Sequence, residues 1–209
     1  VNSIVIDGLN LCYRNHHRLG HLKSKEGIST GVIFGFIQSY LALRRRYPKH
    51  KFYICWDTKS KRYEFYPEYK EHRKEKRKTE EYKEFKERVK DLQEILLSHD
   101  VTQLTAEGYE ADDIAALLAE DHANEAQDGE EMILLTSDRD WLQLIDDKCS
   151  IKVLRAGKKE TMYDEKQFQD EYGFPAHSYP VYKCLKGDKS DNIKGIMRFP
   201  TKLATAIAN

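Results

Sequence analysis

Long apolar runs, paired cysteines and a glycine-rich phosphate loop are all missing from this chain of 209 residues. No apolar stretch approaches the ~20 residues of a membrane helix, which excludes a helical span. The opening residues, Val1-Asn2-Ser3-Ile4-Val5-Ile6-Asp7, read as a short buried strand and not as a signal peptide. They lack an initiator Met, so a trimmed start is expected. The four cysteines, Cys12, Cys55, Cys149 and Cys184, are scattered and form no C-x-x-C pair. That argues against zinc and for a reducing, cytosolic compartment. No G-x-G-x-x-G follows the first strand, so a dinucleotide-binding role falls away. Net charge is absent too: 35 Lys+Arg balance 35 Asp+Glu. Overall charge therefore says nothing about nucleic acid.

The charge that is present is unevenly placed. Between Lys59 and Lys90 stand 13 Lys/Arg and 8 Glu. Such a stretch can attract a polyanion, or it can be a solvated helix with Glu/Lys pairs three or four residues apart. Around it, apolar patterning predicts strands at 3–6, 51–56, 101–105, 131–136 and 151–154, the last continuing as a ribbon to Met162-Tyr163. A helix capped at Ser29-Thr30 carries Val32, Ile33, Phe36, Ile37, Tyr40 and Leu41 on one face and ends at Pro48. Residues 59–98 read as one or two helices standing off the core. A helix over 110–122 buries Ile114, Leu117 and Leu118, and a short helix covers 141–145. Strands alternating with helices predict an α/β fold with a mainly parallel sheet, whose ligands bind beyond the carboxyl ends of the strands.

Nine carboxylates fall at such strand ends, helix starts or turns: Asp7, Asp57, Glu110, Asp112, Asp113, Asp138, Asp140, Asp188 and Asp191. Each alone has a plainer reading. Glu110, Asp112 and Asp113 suit a helix N-terminus. Asp188 and Asp191, in Gly187-Asp188-Lys189-Ser190-Asp191-Asn192, suit an Asx turn or cap. Asp138 and Asp140 suit a turn and cap, and Asp7-Gly8 an ordinary turn. Together they crowd one edge of the sheet, where so many acids stay ionised only beside cations. Oxygen donors of this kind select hard divalent ions, Mg²⁺ or Mn²⁺ by default. Two ions about 3.5–4 Å apart need roughly this many ligands, some through water.

At this point the residues resemble a known family, the 5′-nucleases: flap endonucleases and 5′→3′ exonucleases of the phage and bacterial branch. The matching stretches are Ile6-Asp7-Gly8, Cys55-Trp56-Asp57, Pro67-Glu68-Tyr69-Lys70-Glu71-His72-Arg73, Gly108-Tyr109-Glu110-Ala111-Asp112-Asp113, Thr136-Ser137-Asp138-Arg139-Asp140-Trp141 and Gly187-Asp188-Lys189-Ser190-Asp191-Asn192-Ile193. They run in family order across nearly the whole chain. The resemblance implies a PIN-like α/β domain over 1–183 with a helical arch at 59–98, then a helix-hairpin-helix-like DNA-binding segment over 184–209. It implies metal-dependent hydrolysis of 5′-flap or 5′-ended DNA, or of an RNA primer, near single-strand/duplex junctions. The nine carboxylates become direct or water-mediated ligands of two metals. Asp57, Glu110, Asp112 and Asp113 fall nearer one ion, and Asp138, Asp140, Asp188 and Asp191 nearer the other.

Lys70 and Arg73, three apart on the predicted arch, would share a face toward the scissile phosphate. Tyr66 or Tyr69 would stack on an unpaired base or, alternatively, pack the arch on the core. Arg62 and Lys74 belong to a phosphate-attracting field. His16, His17 and His72 read as surface or substrate-contacting residues.

In the family, a glycine-rich hairpin holds duplex phosphates, often with a bound K⁺. Here Gly195 is kept, but Ile196-Met197-Arg198-Phe199-Pro200 replaces the second glycine turn. Pro200 has no N–H, and bulky residues resist positive φ. Lys194, Arg198 and Lys202 supply positive charge there instead, and Pro200 can begin a helix over 201–208. Relatives of this kind continue past Asn209, so a compact version or a fragment is expected. A monomer in a bacterial or phage-infected cytoplasm, acting in replication, repair or phage growth, completes the expectation. The rival readings are a PIN-like ribonuclease and a non-catalytic DNA-junction-binding protein.

Overall fold

Every residue of β1 (Ser3–Asp7) is buried, because this strand lies inside the sheet with helices on both faces. The computed structural model describes residues 1–155 and 160–209. After β1 come α1 (Gly8–Leu19), α2 (Gly31–Arg46), β2 (Lys51–Cys55), α3 (Arg62–Phe65), α4 (Arg73–Arg77), α5 (Glu80–Ser98), β3 (Gln103–Leu104), α6 (Ala111–Glu125), β4 (Met132–Thr136), β5 (Ile151–Arg155), β6 (Thr161–Tyr163), α7 (Glu165–Tyr172), α8 (Tyr179–Lys186), β7 (Gly187–Asp188), β8 (Ile193–Lys194) and α9 (Thr201–Ala208). A 3-10 turn at Arg139–Leu144 follows β4. The main sheet runs in the order β3-β2-β1-β4-β5-β6. Its first five strands are parallel and β6 returns antiparallel. The predicted mainly parallel α/β architecture is thus present. Residues 156–159, in the predicted ribbon, lie outside the described residues.

Strand alternation sorts the core into two layers. Ile4 and Ile6 of β1, with Ile133 and Leu135 of β4, face α1, α2 and α5. Val5, Met132 and Leu134 face α6 and the C-terminal helices. Period-two side chains on a sheet covered on both sides produce this division.

Three expectations need correction. The long helix of the charged stretch does not stand off the core: α5 buries Phe85, Val89, Leu92 and Leu96. That is a helical stripe against α1 and α2, with roughly 1.5–3 kcal/mol of burial for each side chain. Helix α1 was not foreseen; Asp7 is its N-cap, accepting from the Asn10 N–H at 3.0 Å. Leu41 and Leu117 are exposed, whereas Leu43 and Ala115 are buried. The rest of the predicted stripes pack as expected: Val32, Ile33, Phe36, Ile37 and Tyr40 on α2, and Ile114 and Leu118 on α6.

The edge that matters is the one where the parallel strands end. Gly8 permits a close approach there: a Cβ would sit 2.6 Å from the Trp56 ring and 2.9 Å from the Cys55 carbonyl. β7 and β8 form a separate hairpin between α8 and α9. Gly187 adopts φ 74°, and a Cβ on it would stand 2.3 Å from the Gly195 nitrogen. Only glycine fits that crossing.

Candidate active site

The acids at the strand ends form two electrostatically different halves. In one, Asp7 closes β1, Asp57 follows β2 and Asp112 opens α6. Asp7 accepts from the Thr136 hydroxyl at 2.9 Å. Asp57 accepts from the Ala111 N–H at 2.7 Å, which ties the β2 end to the start of α6. The Trp141 indole donates to Asp112 at 2.6 Å. Among the described residues, no lysine or arginine pairs with Asp7, Asp57 or Asp112. Burial, with the charges of Asp112 and Asp57, holds the Asp7 carboxyl well above the usual carboxylate range. Burial, reinforced by Asp138 and Asp57 against the Trp141 bond, pushes Asp112 up to about 7. These groups lack a cation and hold protons in its place.

In the other half, basic side chains occupy the acids. Glu110 and Asp113 form a capping box at the start of α6. Arg62 grips Asp113 with two bonds, at 3.0 and 2.6 Å. Glu110, buried, accepts from the Tyr69 hydroxyl and the Lys70 ammonium, both at 2.8 Å. Asp191 accepts from Tyr69 at 3.1 Å and Arg73 at 3.4 Å, with Lys70 at 3.8 Å. Burial still raises its carboxyl. The Lys183 ammonium bridges Asp140 and Asp188. Against the pull of burial, the bonds from Lys183 and Ser190 bring Asp188 down to about 2. Burial holds Asp140 up in spite of Lys183. Asp138 caps the 3-10 turn by accepting from the Asp140 N–H at 3.0 Å. Carboxylate oxygens of Asp140, Asp188 and Asp191 all lie within 4.8 Å of one another.

The donor set is carboxylate oxygen throughout, and burial raises the proton affinity of two of its unpaired members, Asp7 and Asp112. That chemistry fits hard divalent cations.

The arch residues depart from expectation in detail. Lys70 and Arg73 do not share a helix face. Lys70 lies in a turn at φ 50°, and Arg73 begins α4. Both nonetheless reach Asp191. Tyr69 is buried, 4% exposed, with its ring edge-on to Tyr63 at 5.5 Å. The Tyr66 hydroxyl donates to the Asn192 carbonyl at 2.6 Å. Lys74 pairs only with the nearby Glu71 at 3.2 Å, on the surface. Lys194 and Arg198 are exposed on the hairpin segment. Arg198 takes φ 56°, so a bulky residue does occupy a left-handed position there.

Under the arch lies a hollow of about 700 Å³, reaching from Asp57, Glu110 and Lys70 to Tyr13, Tyr82 and Lys86. A second, of about 430 Å³, opens over Asp138, Asp140, Lys183 and Asp188. Sequence reasoning missed Lys183, Tyr13 and Tyr82. Lys183 had one available signal, a lysine one helical turn before a Gly-Asp turn. Tyr13 belongs to the unforeseen α1, where it stacks on Phe85 at 4.3 Å.

Known proteins share the sequence pattern and the fold of this chain. Residues 2–173 match the family described as 5′-3′ exonuclease, N-terminal resolvase-like domain. The 5′-3′ exonuclease of Buchnera aphidicola subsp. Schizaphis graminum is 30% identical over 202 residues, covering 96% of this chain and 67% of that protein. DNA polymerase I of Chloroflexus aurantiacus is 35% identical over 211 residues, covering 98% of this chain but 22% of the polymerase. The chain thus spans under a quarter of the length of the DNA polymerase I relatives it matches. Among solved structures, the bacteriophage T5 flap endonuclease, in a pseudo-enzyme-product complex with DNA and metal ions, superposes with a TM-score of 0.79 at 25% identity. That match covers 99% of this chain and 74% of the other. The catalytic core of Rad2, bound to DNA substrate, shares the fold with a TM-score of 0.61 at 17% identity; 99% of this chain and 60% of that one are covered. Among the described residues, no helix is long and apolar enough to cross a membrane.

Proposed function

The chain belongs to the 5′-3′ exonuclease family, and from that premise we propose that it is a divalent-metal-dependent, structure-specific 5′-nuclease. Its substrate is 5′-flap or 5′-ended DNA, or an RNA primer on DNA, cut near the single-strand/duplex junction. The observation that carries this reading is the adjacency of an all-carboxylate pocket to a cationic, tyrosine-lined hollow under an arch. The pocket suits cations and the hollow suits an unpaired polyanionic strand.

Asp7, Asp57, Glu110, Asp112 and Asp113 would hold one Mg²⁺ or Mn²⁺, and Asp138, Asp140, Asp188 and Asp191 the other, some through water. Bound there, the ions supply water activation near neutral pH and offset charge on the phosphate and the leaving oxygen. Lys70 and Arg73 then exchange carboxylate partners for the scissile phosphate, which they hold and neutralise. Tyr69 orients Glu110 and Asp191 through its hydroxyl. Arg62, Lys74 and Tyr66 line the approach of the single strand. Lys194 and Arg198 meet duplex phosphates, with K⁺ at the hairpin as a further candidate. Residues 1–183 are the catalytic domain and 184–209 the DNA-binding segment, and the chain acts as a monomer.

The test is cleavage of a labelled 5′-flap DNA with Mg²⁺ and with EDTA, alongside blunt duplex and single-stranded RNA. Metal-dependent cutting near the flap junction is expected. Preference for the RNA would establish the PIN-like ribonuclease instead, and binding without cutting under any metal would establish a junction-binding protein.

A further inference from the structure

Three successive backbone carbonyls of the hairpin turn each accept from a different residue of the arch base. Arg73 donates to the Ser190 carbonyl at 3.0 Å. The Lys70 N–H donates to the Asp191 carbonyl at 3.1 Å. The Tyr66 hydroxyl donates to the Asn192 carbonyl at 2.6 Å. A fourth bond runs back, from the Asn192 side-chain amide to the Glu68 carbonyl at 2.9 Å. Two segments about 120 residues apart in sequence are thus stitched together through main-chain atoms.

On each side of this seam a non-glycine residue stands in the left-handed region: Lys70 at φ 50° and Asn192 at φ 61°. Asparagine tolerates that conformation, but lysine adopts it rarely. A disfavoured backbone persists where its surroundings over-determine it. At Lys70 the surroundings include the hairpin, since its own N–H is one of the bonded groups. The consequence is directional. The left-handed turn carries the Lys70 ammonium inward to Glu110 at 2.8 Å, and Lys70 is only 9% exposed. Lys74, one turn later on α4, points to solvent.

We infer that Asn192 and Tyr66 are positioning residues: they clamp the 66–70 turn to the hairpin and so fix the backbone that aims Lys70 and Arg73 at the acid pocket. The catalytic consequence rests on the nuclease reading above; the clamp does not. Whatever displaces the hairpin also re-aims these two cations, which couples the C-terminal segment to the arch.

Hydrogen exchange of the amides of residues 66–73, in the free protein, tests the clamp without any substrate. Tyr66→Phe and Asn192→Ala are expected to speed that exchange about fivefold or more, the loss of one or two hydrogen bonds, while β1 and β4 amides stay unchanged. Asn192→Gly keeps the left-handed turn without strain and loses only the Glu68 bond. It guards against a variant that simply unfolds, and an effect of about fivefold is expected from it as well. Unchanged exchange at 66–73 in all three would overturn the clamp.

Single-turnover flap cleavage then tests the aiming. Asn192→Ala should slow the step about tenfold with DNA affinity within about twofold. In a Lys70→Ala/Arg73→Ala background the same change should slow it less than about twofold, because its effect passes through these two side chains. Full additivity would contradict aiming through Lys70 and Arg73. A parent protein that never cleaves would refute the nuclease reading and leave the exchange result to decide the clamp.

Discussion

The two halves of the acid pocket use the same residue types in opposite electrostatic states. Glu110, Asp113, Asp140, Asp188 and Asp191 are each paired with arginine or lysine. Among the described residues, Asp7, Asp57 and Asp112 meet only hydrogen-bond donors of the scaffold, from Asn10, Thr136, Ala111 and Trp141. In the unpaired half Asp7 is buried at the end of β1, Asp112 is half-buried and Asp57 is exposed. Scaffold bonds hold all three in place, and for Asp7 and Asp112 the cost of burial appears as raised proton affinity. The paired half draws its acids from the start of α6, the 3-10 turn and the hairpin, and its cations from the arch base and α8. Lys183 lines the one hollow and Lys70 the other. The comparison separates two settings that look identical in sequence: acids held by scaffold donors, and acids paired with arginine or lysine.

The comparison breaks most visibly at Asp112. Asp112→Asn keeps the Trp141 bond geometry but removes the charge from the unpaired half. Flap cleavage is expected to fall about 10³-fold at saturating Mg²⁺, with flap binding retained. A fall of less than about tenfold would move the chemistry out of that half.

The paired half should respond in the reverse sense. Lys183→Met removes a resident cation from Asp140 and Asp188, so Mn²⁺ affinity measured in a binding titration should rise about tenfold. An unchanged affinity would show that Lys183 does not compete for those oxygens.

The smallest effect is on stability. Asp112 titrates at about 7 when folded against an ordinary value of 3.8. The folded state therefore binds this proton more tightly than the unfolded chain. In metal-free protein, this group should lower stability as pH rises from about 4 to about 7, by roughly 10 °C in Tm, and Asp7, raised likewise, adds to the fall. Asp188 works in the opposite direction, but only below about pH 4, since its folded value is about 2. Asp112→Asn should reduce the slope between pH 4 and 7, leaving the part carried by Asp7. A slope of the same size in that variant would assign it to another group.

Much of this was legible from the chain. Strand-end logic placed Asp7, Asp57, Glu110 and Asp138 on one edge because side-chain period and strand order decide that edge with no help from tertiary detail. What escaped depends on packing between distant segments. Helix α1 was hidden because Asp7-Gly8 resembles a plain turn and the run His16-His17-Arg18 masks the apolar stripe. The docking of α5 was hidden because Phe85, Val89, Leu92 and Leu96 are spaced among charged residues, so composition outweighed period. Lys70 escaped its true conformation because nothing local in Glu68-Tyr69-Lys70-Glu71 announces a left-handed turn; it is imposed by a hairpin far along the chain. Lys183 was missed because its partners, Asp140 and Asp188, meet only once α8 is packed.

Calorimetric titration of Mn²⁺ into metal-free protein at pH 6, repeated in buffers of different ionisation enthalpy, tests the central claim most directly. If the unpaired half is the cation site, binding will release protons held there by Asp7 and Asp112. The Asp112 share will shrink above about pH 7, and the release at pH 6 will be smaller in Asp112→Asn. Tight binding with no proton release at pH 6, or a release unchanged by Asp112→Asn, would contradict the assignment and place the cation elsewhere.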